Sequence, residues 1–161
     1  MKTIVFFITV ILNALSTGFF FAWSVSVILG TKKIGDLTYL ETMQSINREI
    51  LNPAFFIVFF GSLIALAFTT CLQFNNKPVF WLVLASAIIY LIGTFGITAF
   101  GNVPLNNELD AINTTKLSEV ELQHFRTYYE SAWNQYHNIR TISSMVSFTL
   151  LLISIFIKKT F

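Results

Sequence analysis

The chain has 161 residues, of which 55% are hydrophobic and 11% are charged, and its formal net charge is +2. A water-soluble domain carries about 25% charged residues, so this composition excludes an ordinary soluble protein. The small net charge and the lack of long basic runs give no reason to expect nucleic acid as a partner. The composition and a mean hydropathy of +0.69 together indicate one integral membrane domain over residues 1–161.

Four stretches lack acidic and basic residues. Three of them are long enough to cross a bilayer, and the fourth, 141–157, is short, but nothing upstream of it breaks the helix. A spanning helix needs about 20 residues, and we predict spans at about 3–29, 53–75, 78–101 and 138–157. Lys2 and the apolar residues after it resemble a signal peptide. The uncharged stretch from Thr3 to Thr31 is longer than the apolar region of such a peptide, so we interpret it as an uncleaved first span.

Two further segments predict helices outside the bilayer. In 36–50 apolar residues recur every three to four positions, which is typical of an amphipathic helix. No helix breaker precedes the fourth span, so we expect that helix to extend back through 119–140 from a capping box at Ser118 and Glu121. Around Gly101 we expect the third span to lose its regularity. The predicted fold is all-α: a four-helix transmembrane bundle with a short amphipathic helix between spans 1 and 2 and an extramembrane extension of helix 4.

Lysine and arginine residues predict the orientation. An even number of spans places both termini on one side, together with Lys2, Lys77, Lys158 and Lys159. The opposite side holds six such residues, but several are far from the membrane or in structured segments, and the positive-inside rule weighs short loops most. We therefore predict an integral protein of a bacterial cytoplasmic membrane with both termini cytoplasmic.

Polar residues cluster in three segments that are predicted to lie at the same membrane face: 43–48, 102–107 and 133–140. A charge such as that of Arg140 near hydrocarbon usually points inward to a partner, and His137 has an unperturbed pKa near neutrality. Simpler interpretations remain open. The asparagine-rich segment could be a loop that satisfies its own backbone, and Arg140 could anchor its helix at the interface. His124 and His137 fall on opposed helix faces, and we predict no metal site.

The three segments together resemble the anthrone-oxygenase-like family of small four-helix integral membrane proteins. The resemblance rests on Met43-Gln44-x-Ile46-Asn47-Arg48 with Asn52-Pro53, on Asn102-Val103-Pro104-Leu105-Asn106-Asn107-x-Leu109, and on Trp133-x-x-Tyr136-His137-Asn138-x-Arg140-Thr141.

The resemblance implies a monooxygenase that converts an anthrone to an anthraquinone with dioxygen and without a cofactor. His137 would be the base, Arg140 with the amides of Asn106 and Asn107 would stabilise the oxyanion, and Trp133 and Tyr136 would stack on a flat ring. The other residues expected to line the substrate site are Asn102, Asn138, Gln44, Asn47 and Arg48. Expected partners are membrane lipid, a hydrophobic small molecule and further copies of the chain. The alternative is a non-catalytic membrane protein that binds a lipid or a partner protein.

Overall fold

The computed structural model describes residues 2–158 and contains five helices within them. Helix α1 joins Lys2–Ala22, a wide π-helical turn at Trp23–Val27 and Ile28–Thr31. Helices α2 and α3 are Asp36–Glu49 and Pro53–Leu72. Helix α4 joins Lys77–Ile89, wide π-helical turns at Tyr90–Gly96 and Thr98–Asn102, and Val103–Ala111. A short 3₁₀ turn, Thr114–Lys116, leads to α5, Glu119–Lys158. Lys159 and the side chain of Lys158, both used to predict the orientation, lie outside the described part.

Four of these helices are long and apolar enough to cross a membrane. The candidate spans are Lys2–Thr31, Pro53–Leu72, Lys77–Asp110 and Glu119–Ile157. Large apolar side chains cover their outer surface, as in Ile57 and Ile64, which are 65% and 67% exposed. Exposure on this scale suits contact with lipid and not with water. The predicted all-α transmembrane bundle is confirmed, and the chain is an integral membrane protein.

Hydroxyl side chains hold the spans together in the bundle interior. Thr9 and Thr69 lie 2.7 Å apart between α1 and α3, and Ser86 and Ser147 lie 2.9 Å apart between α4 and α5. A Cβ atom on Gly93 would overlap Ser143, so the glycine lets α4 approach α5 closely. Such small and hydroxyl residues are typical of helix packing in membranes, where the lipid is as apolar as leucine.

A further group of buried residues packs where α2, the end of α4 and the first half of α5 meet. We call this part of the protein the extramembrane cap. Its core consists of Tyr39, Leu40, Met43, Leu105, Leu109, Leu122, Tyr129 and Trp133. At 40 residues, α5 is about 60 Å long, roughly twice the thickness of the hydrocarbon layer. The predicted extension of the last span is thus present, and one continuous helix contributes to both the cap and the bundle.

Arg126 ties the cap to the end of α1. Its guanidinium bonds Asp36 at 2.9 Å and Glu130 at 3.0 Å, and it also donates to the backbone oxygens of Ile34 and Thr31. The guanidinium lies 4.5 Å from the ring centre of Tyr39. Burial, and secondarily the carboxylate of Glu130, raises the pKa of Tyr39, so the phenol stays neutral and its ring face binds the cation.

The predicted loss of regularity around Gly101 takes the form of a π-helical turn, Thr98–Asn102, and not of a helix end. Helix α4 continues to Ala111, with Pro104 in the first turn of its last regular segment, where the missing N–H is tolerated. The π-helical turns just before it have already changed the backbone hydrogen-bond pattern. Gln44 then donates from Nε2 to the carbonyl oxygens of Leu109 and Ile112, at 2.8 and 3.0 Å, and so satisfies the end of the helix.

Candidate functional site

One face of α5 carries the core of the candidate site. Trp133, His137 and Arg140 follow one another at helical spacing and are 4%, 0% and 7% exposed. The wide turns Trp23–Val27 of α1 and Thr98–Asn102 of α4 supply contacts to the same face. Such π-helical turns occur frequently at functional sites because they redirect side chains within a helix.

Hydrogen bonds fix the tautomer of His137. Arg140 donates from Nε and Nη2 to His137 Nδ1, at 3.2 and 3.1 Å. A guanidinium has no acceptor, so Nδ1 must be unprotonated and Nε2 carries the proton of the neutral ring. Nε2 lies 2.9 Å from the hydroxyl of Ser24, whose own proton goes to the carbonyl oxygen of Phe20. The imidazole also stacks on Trp133, with ring centres 5.2 Å apart. His137 is thus enclosed, and its acceptor lone pair is taken by Arg140.

Arg140 is a buried cation that pairs with no carboxylate in the described part of the chain. The ion pairs among residues 2–158 involve only Arg48 and Arg126 as cations. A guanidinium has five N–H donors. Those on Nε and Nη2 of Arg140 reach His137 Nδ1, and one on Nη1 makes a long contact of 3.5 Å to the Thr98 hydroxyl. The guanidinium carbon lies 4.8 and 4.9 Å from the ring centres of Phe20 and Trp133. A buried charge is costly unless it is paired, so this arrangement is suited to an anionic ligand.

A cavity of about 80 Å³ adjoins Arg140. Its polar lining comes from Arg140, Thr98, Asn47 and Asn106, and its apolar lining from α1, α3 and the end of α2: Phe19, Phe20, Trp23, Ile46, Ile50, Leu51 and Phe55, with Val103 and Trp133 from α4 and α5. We call it the Arg140 cavity. His137 lies behind Arg140 and does not line it.

A chain of hydrogen bonds sets the orientation of Asn106 at the cavity wall. Its Oδ1 accepts from Trp133 Nε1 at 2.8 Å and from the Tyr129 hydroxyl at 3.2 Å. Asn47 in turn donates from Nδ2 to that hydroxyl, at 3.1 Å. Because the oxygen of Asn106 is occupied by two donors, its Nδ2 group is the part left for a ligand.

The structure brings together about half of the residues predicted for the site. His137, Arg140, Asn106, Trp133 and Asn47 meet at or directly behind the Arg140 cavity. Their catalytic and binding roles stay predictions.

The remaining predicted residues lie elsewhere. Asn102 is buried behind the cavity and donates from Nδ2 to the Trp133 carbonyl, while its Oδ1 has no partner among the described residues. Tyr136 packs so closely on Gly101 that a Cβ there would lie 2.7 Å from its ring. Four others do not reach the cavity: Gln44 caps α4, Arg48 pairs with Asp110 at the surface, and Asn107 and Asn138 are exposed.

Four residues complete the site that the sequence analysis did not predict: Phe20, Trp23, Ser24 and Thr98. All four belong to apolar spans and contact α5 across the bundle. The one local signal was the pair Trp23-Ser24, an aromatic and a hydroxyl residue in the part of α1 next to the loops. Residues 2–158 contain no cluster of three His, Cys, Asp or Glu side chains, and the predicted lack of a metal remains untested.

Comparison with known proteins identifies a family. A family model described as anthrone oxygenase matches residues 46–150. No curated protein and no solved structure gives a significant match. The matched region runs from the last turn of α2 into the membrane half of α5, and it contains Asn47, Asn106, Trp133, His137 and Arg140. Since it covers nearly two thirds of the sequence, the chain belongs to the anthrone oxygenase family.

Proposed function

We propose that this membrane protein is an oxygenase that binds the anionic form of a lipophilic aromatic molecule, with its charged oxygen in the Arg140 cavity, and that the bound anion reacts with dioxygen. The observation that carries the proposal is the buried Arg140 guanidinium, which adjoins a cavity and has no carboxylate partner among the described residues. The family membership supports the reaction class.

The proposed reaction converts an activated methylene to a carbonyl. The substrate loses one proton, and the resulting carbanion, which is also an enolate, forms a carbon–oxygen bond with dioxygen. The peroxide takes up a proton, the oxygen–oxygen bond breaks, and a molecule of water leaves with the second methylene hydrogen. One substrate and one dioxygen thus yield one ketone and one water, and dioxygen is the only oxidant required.

Arg140 and the Nδ2 group of Asn106 are the proposed partners of the enolate oxygen. Donors fixed in advance around a developing negative charge are a large source of catalysis, and they act more strongly where water is excluded. Trp133 and Phe20, already packed on the guanidinium, would form apolar walls beside the ring.

For His137 we propose a positioning role in place of the base role implied by the resemblance. Its only acceptor lone pair is engaged by Arg140, and the ring does not line the cavity. His137 would then hold the guanidinium toward the ligand, and the substrate would ionise in the field of Arg140. The released proton would pass to water at the half-buried end of the cavity beside Asn47 and Asn106.

Dioxygen uptake by the purified protein with a simple anthrone tests the proposal. We expect uptake well above that of buffer, and a loss of at least a hundredfold in Arg140→Gln. Lys33→Gln, which removes an exposed cation outside the site, is the control and should keep its activity. Uptake no faster than buffer, with the aromatic anion still bound, would favour the non-catalytic binding protein.

A further inference from the structure

The Arg140 cavity is too small for the molecule proposed to react there. At about 80 Å³ it has roughly half the volume of an engineered apolar cavity of about 150 Å³ that binds one benzene molecule. It can therefore receive the charged oxygen of a substrate but not a complete aromatic ring system. The rings must extend into a neighbouring space.

Such a space lies between α1 and α3. A mostly apolar crevice of about 330 Å³ lies there, and its lining includes Leu15 and Phe19 of α1 and Ala54, Phe55 and Val58 of α3. Phe19, Phe20, Ile50 and Phe55 line both this crevice and the Arg140 cavity, so the two spaces adjoin. We call it the α1–α3 crevice.

The outer edge of the α1–α3 crevice faces the lipid. Leu15 is 54% exposed and Phe19 is 40% exposed, and both belong to the span Lys2–Thr31. A molecule dissolved in the bilayer could thus reach the crevice from the side, without passing through water. At the inner end, its charged group would meet the Arg140 guanidinium, which no carboxylate of residues 2–158 neutralises.

We propose that the α1–α3 crevice binds the ring system of a planar aromatic anion, which enters from the bilayer and places its charged oxygen at Arg140. This inference rests on the proposed function and adds where the ring system binds and by which route it enters. The evidence is the apolar lining, the shared residues, the volume and the charge at the inner end.

Binding of anthracene-9-carboxylate to the protein in phosphatidylcholine nanodiscs tests the inference. This fluorescent probe has three fused rings and an anionic group, and it has no methylene to oxidise, so binding is separated from turnover. Val58→Phe fills the crevice and should weaken binding at least tenfold. Ile57, the residue just before Val58 on the same helix, points to lipid outside the crevice. The control variant Ile57→Phe should therefore bind the probe within twofold of wild type. Ala54→Leu is a second, smaller filling in case Val58→Phe does not fold.

The outcomes separate the crevice from the reaction. Equal binding by the filled and control variants would overturn the crevice, as would a wild-type protein that does not bind the probe. Oleate that displaces the probe more strongly than unlabelled aromatic anions do would also overturn it, because the crevice would then be a site for lipid chains. Probe binding that is lost in Val58→Phe, without dioxygen uptake on an anthrone, would support the crevice and reject only the proposed function.

Discussion

Replacing His137 with asparagine should preserve most of the oxygenation rate, whereas replacing it with alanine should not. Asparagine Oδ1 stands two bonds from Cβ, as histidine Nδ1 does, so it can accept the hydrogen bonds of Arg140. An amide does not take up a proton near neutral pH, so it cannot act as a base. Both variants lose the stacking on Trp133, and they differ chiefly in the acceptor offered to Arg140.

The structure sets the size of the alanine effect. Without His137, the only hydrogen bond that the Arg140 guanidinium keeps among the described residues is the long one of 3.5 Å to the Thr98 hydroxyl. A hydrogen bond to a charged group contributes about 1.5–3 kcal/mol, and about 1.4 kcal/mol corresponds to a tenfold change in rate. We therefore expect a loss of about 10- to 150-fold in His137→Ala and of less than about fivefold in His137→Asn.

Dioxygen uptake with an anthrone measures the rate, and anthracene-9-carboxylate binding measures how well Arg140 holds an anion. In His137→Ala both should fall together, since one misplaced guanidinium would account for both. A general base contributes about 10²- to 10⁴-fold. If both variants lost that much uptake while binding the probe normally, the positioning role would be refuted and the base role supported.

The other predictions concern stability and orientation. Arg140→Met should leave the thermal unfolding temperature in detergent unchanged or raise it, because it removes an uncompensated buried charge; a clear decrease would mean that the guanidinium has a stabilising partner. Arg126→Met should lower stability by about 2 kcal/mol, through the loss of several part-buried charged hydrogen bonds. Arg48→Met, which breaks an exposed pair, should change it by less than about 0.5 kcal/mol. Equal effects in an unfolding assay would contradict this contrast. Gly101→Ala should destabilise the folded protein by about 1–3 kcal/mol, because the added Cβ would meet the ring of Tyr136. Gly18→Ala should be neutral or slightly stabilising, because its added Cβ would have nothing within 4 Å. Circular dichroism on heating compares the two variants. Reporter fusions at both termini should give cytoplasmic signals, and a periplasmic signal would reverse the predicted orientation.

The spans could be predicted because lipid imposes a simple requirement on the sequence: long runs without charge. The pairing of His137 with Arg140 also follows from the sequence, since residues three apart share a helix face. Contacts between helices follow from no such rule. Ser24 and Thr98 meet α5 across 113 and 42 positions of sequence, and only the packing of the bundle brings them there.

At one segment the local sequence pattern favoured the wrong structure. Pro104 and its neighbouring asparagines favour a loop when read alone, yet the cap gives this segment buried positions at Leu105 and Leu109. Tertiary packing thus outweighs a local preference for a turn. Similarly, Tyr136 is adjacent to His137 in sequence, but the helical rotation of α5 directs it to Gly101 and away from the cavity.

Because α5 is uninterrupted, it limits where members of this family can gain or lose residues. Tyr129 in the cap and Arg140 in the bundle lie on one continuous helix, so their relative directions depend on the number of residues between them. One inserted residue would rotate the two ends by about 100° against each other, and either the cap or the cavity would lose its packing. Seven inserted residues would nearly restore the direction, but they would move the cap about 10 Å farther from the membrane. We therefore expect insertions and deletions to accumulate in the connections around residues 112–118 and to be absent between residues 129 and 140.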